Sequence, residues 1–348
     1  MPAFNDAMKK LLIAWGKYLS ENPESSGTLT TNDDGWFGKF GMAKLRSDGR
    51  ILEGQTFDYV YKCDSSKVEE KFGYKTWDAF FVREFNPKNI KETRPIRKTG
   101  DIAKDACLIY SPCECTPFRI STKVKLHDQF WLKGQPYSLY DMLNNPDQLN
   151  SAVPSGDVKA RQHAEEFVGG TIFQAFLSPQ DFHRWHAPVD GQIVDAFVVP
   201  GTYYAVIPDS GAEIGDPDLQ PGDPRGGLIR SQSFLSMAAT RAIIYIKPTN
   251  TLFGDLICFI GIGMCEVSTC ELSSKALGKE VVKVGDELGM FHFGGSTQVT
   301  MFQNKVEGRE IGTVKFGDDI EIDKHVKLHS IIGQVYEKPT NHNGEPVL

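Results

Sequence analysis

The feature that most constrains the fold is a series of short apolar runs that fills the chain from about residue 100 onward. Glycine and proline separate these runs, and each run has about the length of one strand. The clearest examples are DACLIYSP, GTIFQAFLSP, GQIVDAFVVPG, RAIIYIKP and GDLICFIGIG. The pattern is typical of β structure, so residues 96–348 are predicted to form a β-rich core.

The N-terminal residues 1–95 have a different pattern and are predicted to be mainly helical. Between residues 4 and 19 apolar side chains recur at helical spacing, which indicates a packing helix; insertion into a membrane surface is the alternative. Residues 74–85 carry a second apolar helical face, and the polar segment 20–35 is predicted to be an exposed loop. We therefore predict an α+β fold with an N-terminal helical cap on a β-rich core.

Composition narrows the possible classes of function. The 348 residues are 40% hydrophobic and carry a formal net charge of -7. This acidic balance argues against nucleic-acid partners and anionic membrane surfaces, because both call for clustered lysine and arginine. The seven cysteines lack zinc-ribbon spacing and are interpreted as reduced core thiols, so we expect a cytoplasmic protein.

A Gly-Gly-Ser-Thr turn at residues 294–297 lies between two apolar segments. Because glycine lacks a Cβ, the turn can fold sharply and leave the Gly295 carbonyl open to the neighbouring hydroxyl of Ser296. A serine in this position can attack the preceding carbonyl in an N-to-O acyl shift when a base takes its proton. The alternative is an ordinary hairpin turn, which the motif alone also fits.

The densest group of candidate catalytic residues is FLSPQDFHRWHAPVDG, which contains His183 and His186. Pro188, which follows soon after, disfavours a helix through this stretch. An HxxH zinc site is disfavoured because no general-base glutamate accompanies the pair, so no metal is predicted. Two ordinary surface histidines are the remaining alternative.

Glu114 lies in a second candidate group, IYSPCECTPF, between apolar flanks. A carboxylate that is partly buried at the end of a strand needs a partner. An imidazole would complete an arrangement of serine, histidine and carboxylate drawn from three separate segments. A salt-bridged strand glutamate is the alternative.

Taken together, these segments resemble the phosphatidylserine decarboxylase family. The resemblance covers residues from about 75 to 305 and rests on motifs in this order: FFVREFNP, RPI, SPCEC, LSPQDFHRWHAP, VPG and FGGST. Members of that family cleave themselves before a serine in a Gly-Ser-Thr motif and so make a covalent pyruvoyl group. The resemblance implies that residues 1–95 form the helical region, that residues 96–348 form the catalytic domain, and that cleavage occurs between Gly295 and Ser296.

The resemblance also implies a role for each candidate catalytic residue. His186 would be the base that activates Ser296, with Glu114 holding the imidazole tautomer. His183 would serve the later decarboxylation by protonating the product carbanion.

Processing would leave two chains, 1–295 and 296–348, packed as one fold. Attack on the preceding carbonyl gives an ester, and β-elimination leaves a dehydroalanine at residue 296 that hydrolyses with loss of ammonia. The resulting pyruvoyl group would be the cofactor and would play the part of pyridoxal phosphate, which is not expected here.

Two departures from the family pattern indicate one branch of it. Glu114 followed by Cys115 stands where an aspartate is usual, and Gly294-Gly295-Ser296 replaces Leu-Gly-Ser. Both departures, and longer runs such as FHRWHAPVDGQIV, are similar to the soluble fungal L-tryptophan decarboxylases. We therefore predict a decarboxylase of a free aromatic amino acid, in the first place L-tryptophan to tryptamine.

Three other functions stay open on the sequence alone. The first is a phosphatidylserine decarboxylase that makes phosphatidylethanolamine at a membrane. The second is a biotinyl or lipoyl carrier, which VKVGDELGMFHFGGS suggests, although the turn lacks the lysine that such carriers present. The third is an unprocessed family member that acts as a scaffold.

A free aromatic amino acid needs a closed apolar pocket. Aromatic residues close to the candidate catalytic residues are predicted to line it, namely Phe182, Trp185, Tyr203, Tyr204, Phe291 and Phe293. The loop of residues 208–227, rich in glycine, proline and aspartate, is predicted to be a lid.

Overall fold

The computed structural model describes residues 2–126, 137–143, 163–203, 211–212, 214, 220–223, 226–264, 270–318, 320–322 and 324–338. Helices dominate the N-terminal region and antiparallel sheets follow, which confirms the predicted α+β class. The helices are α1 (Pro2–Glu21), α2 (Lys39–Asp48), α3 (Phe57–Val60), α4 (Trp77–Phe81), α5 (Ile90–Thr93), α6 (Ile102–Asp105), α7 (Leu139–Leu143), α8 (Gly227–Arg230), α9 (Gln232–Ala238) and α10 (Ser274–Leu277). The strands are β1 (Leu108–Tyr110), β2 (Thr116–Thr122), β3 (Thr171–Leu177), β4 (Arg184–His186), β5 (Gly191–Val199), β6 (Arg241–Pro248), β7 (Ile257–Gly263), β8 (Cys270–Leu272), β9 (Val281–Val282), β10 (Glu287–Phe291), β11 (Ser296–Phe302), β12 (Thr313–Phe316) and β13 (Ile331–Tyr336).

Seven strands form an antiparallel sheet in the order β2–β3–β11–β7–β6–β5–β9. Strand β11 lies between β3 and β7, and all seven of its residues are buried. Its side chains alternate between the two apolar cores of the sheet: Val299 and Met301 pack in one, Phe302 in the other. Ser296 is six residues from Phe302, so it shares the face of that ring.

A smaller sheet, β4–β10–β8, packs on the large one through Trp185. The indole lies between Gly289 of β10 and Gly261 of β7, and a Cβ at either glycine would come within 2.7 Å of it. Only glycine permits this close approach, so the packing fixes β4, which ends at His186 and directly follows His183. A third sheet has the order β1–β13–β12.

The predicted N-terminal packing helix is confirmed as α1, but it buries less than the spacing suggested. Leu12 and Leu19 are buried against Tyr203 and Phe293, because α1 contacts the body through α4 and the turn that follows α1. Apolar side chains on the adjoining side stay about half exposed or more: Phe4, Leu11 and Trp15. Within the described ranges, no helix is both long and apolar enough to cross a bilayer.

Two other N-terminal expectations differ from the structure. The helix predicted over residues 74–85 is reduced to the five residues of α4, because the Thr76 side chain caps its start and Phe85 leaves it to form a β-bridge. The segment 20–35 is not fully exposed, since it contains a 3₁₀ turn in which Ser25 is buried. A boundary at residue 95 stays a prediction.

Candidate active site

Ser296 is the first residue of β11 and is fully buried. Its strand pairs it with Leu177 of β3 and Gly263 of β7, so its position is fixed on both sides. The preceding Gly294 has a φ of 98°, a conformation that favours glycine, and this turns the chain into the strand. The motif is therefore the entry to an interior strand and differs from an ordinary surface hairpin.

The carbonyl that precedes Ser296 already has a hydrogen-bond donor. The Gly295 carbonyl oxygen accepts the Met264 backbone N–H at 3.1 Å. A backbone N–H in this position stabilises negative charge that develops on the oxygen when the carbonyl carbon is attacked. A Cβ built at Gly295 would meet nothing within 4 Å, so space is left beside the bond.

His183 lies against the Ser296 hydroxyl. Its Nδ1 is 3.3 Å from the serine Oγ, within reach of a hydrogen bond that the hydroxyl would donate. The backbone carbonyl of His183 accepts the Phe291 N–H at 2.9 Å, which aligns this residue with the end of β10. The Phe81 ring stacks on the imidazole with centroids 4.0 Å apart and so holds the plane of the ring.

The surroundings of His183 keep it neutral. Complete burial, helped by the nearby Arg83 guanidinium, lowers the pKa of His183 to about 3. Arg83 is itself buried and donates to the carbonyls of Gln180 and Asp181, so it fixes the turn before the histidine. A neutral imidazole with its proton on Nε2 leaves Nδ1 free to accept the serine hydroxyl.

Among the described residues no hydrogen bond joins His186 to Ser296, which differs from the role assigned to His186 by resemblance. His183 directly precedes β4 and His186 ends it, and side chains three residues apart in extended backbone point to opposite faces, which agrees with a hydrogen bond to the serine from His183 alone. The His186 ring instead lies 5.8 Å from the Phe182 ring and 5.5 Å from that of His329. Burial, with the charges of His329 and Arg184, lowers the pKa of His186 to about 3.

Glu114 is buried as expected, but its partners are different from the expected ones. Its Oε1 accepts from the Arg94 guanidinium and from the Leu328 N–H at 2.9 Å, while Oε2 lies 3.6 Å from His325 Nε2. Burial raises the pKa of Glu114, but Arg94 and then His325 outweigh it, so the net shift is downward and the carboxylate stays ionised. No hydrogen bond joins it to His186 among the described residues, so the serine–histidine–carboxylate arrangement is not assembled as predicted.

Asp181, His325 and Arg94 complete a buried ionic cluster with Glu114 that sequence reasoning missed. His325 Nε2 is 3.1 Å from Asp181 Oδ1, and Asp181 Oδ2 accepts the Ser178 N–H, so the cluster supports the turn that leads to His183. The pKa of His325 is raised, because the two carboxylates outweigh its burial. Asp181 lies in the same segment, SPQDFHRWH, as His183 and His186, and this proximity in the sequence was the signal that could have identified it.

A cavity of about 500 Å³ opens on the chain beside the Gly295–Ser296 bond. Its lining includes the two glycines of the turn and Phe293, which was predicted as a pocket residue. The other five aromatic rings among the described lining residues come from the N-terminal helical region: Trp15, Tyr18, Trp36, Trp77 and Phe81. Glu24 is the single charged residue among the described residues that line the cavity.

The other predicted pocket residues lie elsewhere. Phe182 packs on Phe85 with ring centroids 4.1 Å apart, and Trp185 fills the space between the two sheets. Phe291 packs edge-on against the Trp185 ring. Tyr203 contacts the α1 side chains next to Phe293 and does not line this cavity.

Tyr204 and most of the proposed lid, residues 208–227, lie outside the described residues. Across the part of the chain that the structure describes, no group of three or more His, Cys, Asp or Glu side chains could hold a metal ion.

Comparison with known proteins gives consistent similarities. A family model described as phosphatidylserine decarboxylase matches residues 77–332, and a second model of that description matches residues 1–45. The decarboxylase iboD of Amanita muscaria is 44% identical over 336 residues, which cover 97% of this chain and 85% of the relative. The L-tryptophan decarboxylase of Psilocybe cubensis is 36% identical over 292 residues, 83% of this chain and 60% of the relative. Phosphatidylserine decarboxylase proenzyme 3 of Schizosaccharomyces pombe is 26% identical over 306 residues, 87% of this chain and 27% of the relative. The chain thus spans about three fifths of the length of that tryptophan decarboxylase.

Proposed function

Because the chain belongs to the phosphatidylserine decarboxylase family, we propose that it cleaves itself before Ser296 and then decarboxylates a free aromatic amino acid, in the first place L-tryptophan. The observation that carries the proposal is the aromatic cavity that opens beside Gly295, the residue that precedes Ser296. A substrate bound there would lie beside the atoms from which a pyruvoyl group is made.

Self-cleavage would begin when His183 Nδ1 takes the hydroxyl proton of Ser296, 3.3 Å away. The serine Oγ then bonds to the Gly295 carbonyl carbon, and the peptide C–N bond breaks as the proton held by His183 passes to the nitrogen, which leaves an ester and a free amine on residue 296. The Met264 N–H stabilises the negative charge on the carbonyl oxygen during this step. We therefore assign the base to His183, where the family resemblance had implied His186.

Elimination would complete the cleavage. A base, for which His183 is available once it is neutral again, takes the α-proton of residue 296; the Cβ–Oγ bond then breaks and Gly295 leaves as a carboxylate. The dehydroalanine that remains tautomerises to an imine, and one water molecule converts it to the keto group with release of ammonia. This sequence balances without an external oxidant or reductant, and it yields the chains 1–295 and 296–348.

The residues around position 296 suit a pyruvoyl group. Strand β11 would hold the new N-terminus between β3 and β7, next to a cavity large enough for a small molecule. When formed, the group supplies the electron-accepting carbonyls for loss of CO2. His183 stays within hydrogen-bond reach of position 296 and can hold a proton there, while Phe81 and Phe293 exclude water.

In this proposal, His186 and Glu114 act as positioning residues. Glu114, together with Arg94, His325 and Asp181, supports the turn that presents His183. His186 donates its backbone N–H to the Pro112 carbonyl at 2.9 Å and so ties β4 to the segment that carries the glutamate.

The cavity lining favours a flat apolar ring over a phospholipid headgroup. Six aromatic side chains surround the space, and an indole can pack against them face-on or edge-on. A phosphodiester calls for arginine or lysine, and neither occurs among the described lining residues. This contrast supports a free amino acid against phosphatidylserine, and we infer a cytoplasmic enzyme.

One experiment tests both parts of the proposal. Intact-mass measurement of the purified protein should give two chains and a pyruvoyl terminus at residue 296, and amine release from L-tryptophan should proceed without added pyridoxal phosphate. Ser296→Ala is the matched control and should do neither. Turnover of phosphatidylserine vesicles without turnover of aromatic amino acids would move the substrate to the lipid, and one intact inactive chain would favour the scaffold.

A further inference from the structure

His292 lies three residues before the proposed cleavage bond and contacts two carboxylates from separate elements. Its Nδ1 is 2.9 Å from Asp78 Oδ2 in α4, and its Nε2 is 2.9 Å from Glu271 Oε2 in β8. Carboxylates accept hydrogen bonds, so both ring nitrogens must donate, and only the imidazolium carries two N–H groups. The arrangement therefore requires a charged His292.

The electrostatic surroundings of the ring agree with this geometry. Burial lowers the pKa of His292, but the hydrogen bonds and charges of Asp78 and Glu271 outweigh it, and the net shift is upward. These two carboxylates, one from α4 and one from β8, are the charged groups that act on the ring. The Asp78 side chain is 8% exposed and the Glu271 side chain 54% exposed, so Asp78 is the stronger partner.

His292 contacts α4, a helix that forms part of the cavity wall. Helix α4 has only five residues, too few to be stable alone, and it carries Trp77 and Phe81 into the cavity lining. Phe81 also stacks on His183. The contact between Asp78 and His292 thus joins the N-terminal helical region to the loop that contains the cleavage site.

After cleavage, the contact between His292 and Asp78 would hold a segment close to a chain end, where before it held a continuous loop. Gly295 would become a chain end, and chain ends fray unless they are tied down. Phe293, two residues before that end, is part of the cavity lining and packs on Leu12 and Leu19. His292 is the last residue before the new end with an ionic contact from its side chain.

We propose that His292 is a positioning residue: its imidazolium clamps α4 and β8 onto the loop before the cleavage bond and keeps the cavity walls together once Gly295 is a chain terminus. The proposal rests on the proposed self-cleavage. It makes substrate binding depend on the charge of a side chain that does not touch the reacting atoms.

His292→Asn tests the clamp, because asparagine keeps a polar group and removes the charge. Self-cleavage should slow less than about threefold, since the loop is still a continuous chain at that stage and the β11 pairing and the Met264 hydrogen bond do not involve His292; any slowing would come through Phe81, which stacks on His183. We expect the KM for L-tryptophan to rise about tenfold while kcat falls less than about threefold; tenfold corresponds to about 1.4 kcal/mol. Glu271→Gln is the matched control, with a smaller rise because this partner is exposed.

The pH profile supplies a readout that a purely structural role would not move. The clamp is present while His292 is protonated and is lost as pH rises through its raised pKa. Wild-type kcat/KM for L-tryptophan should therefore fall across this range, and His292→Asn should lack that fall. An unchanged KM in His292→Asn, or the same alkaline fall in both proteins, would overturn the proposal.

Hydrogen exchange separates the clamp from the catalytic proposal. In cleaved protein, His292→Asn should speed amide exchange in residues 290–295 and 77–81. When His292→Asn is combined with Ser296→Ala, which keeps the chain intact, its effect on residues 290–295 should be smaller. If His292→Asn does not fold, Asp78→Asn takes its place as the test variant and should show the same faster exchange. If the wild type is never cleaved, the proposed function fails. The clamp is then still tested in the intact chain: His292→Asn should speed exchange in residues 77–81, and unchanged exchange there would overturn it.

Discussion

Replacing the two active-site histidines separately distinguishes the observed geometry from the roles that the family resemblance implies. His183→Asn removes a base that lies 3.3 Å from the Ser296 hydroxyl, whereas His186→Asn leaves that contact in place. A positioned general base contributes about 10²- to 10⁴-fold to a proton transfer. We expect self-cleavage to slow by about this factor in His183→Asn and by less than about threefold in His186→Asn.

The base should act over a broad pH range. Burial, helped by Arg83, holds the pKa of His183 at about 3, so the imidazole is neutral and able to accept a proton at any pH well above that value. The rate of self-cleavage in the wild type should then be nearly flat between about pH 5 and pH 8. A base with an ordinary histidine pKa of about 6.5 would instead lose activity as pH falls through that value.

The assay follows the intact chain and its two products on denaturing gels, with intact mass as confirmation. Protein made in a cell-free reaction gives a defined starting time, and Ser296→Ala sets the baseline for no cleavage. Circular dichroism checks that each variant is folded. Normal cleavage in His183→Asn together with an intact chain in His186→Asn would refute the assignment and return the base to His186.

Four further outcomes are expected. Ser296→Ala should leave one intact chain of full mass and no decarboxylase activity, because the acyl shift needs the side-chain hydroxyl. Trp185→Ala should lower the free energy of unfolding by about 3–5 kcal/mol in urea titration, because the buried indole fills the space between two sheets. Trp36→Ala should raise the KM for L-tryptophan roughly tenfold without changing self-cleavage, because this ring lines the cavity away from the cleaved bond. His325 has a raised pKa, so its contribution to stability is full below the unfolded-state value of about 6.5 and is lost as pH rises through the folded-state value; a His325→Asn variant should lose this alkaline dependence in thermal unfolding.

The elements that depend on local pattern could be predicted from the sequence. The short apolar runs predicted β1 and four strands of the large sheet, β3, β5, β6 and β7, because strand length and turn residues act over a few positions. The spacing of Leu12 and Leu19 gave the buried side of α1 for the same reason. The motif before Ser296 marked the start of a buried strand, and the burial of Glu114 followed from its apolar neighbours.

The contacts within the site were decided by tertiary structure. The sequence placed two histidines near one another but did not tell which of them faces a serine 113 residues from His183. The pairing of β10 with β4 and of β11 with β3 sets that choice, because alternation in extended backbone sends His183 and His186 to opposite faces. The proline after the pair already disfavoured a helix, so this much could have been inferred.

The residues that line the cavity could be predicted from the sequence even less well than the contacts of the histidines. Trp36 and Trp77 are helical or turn residues whose spacing predicts only that they are apolar and packed. They line the cavity because α4 and the segment just before α2 dock beside residues 293–295, more than 200 positions along the chain. Local pattern fixes which side of an element is apolar, whereas long-range packing decides what that side faces, and here it decides which rings would surround the substrate.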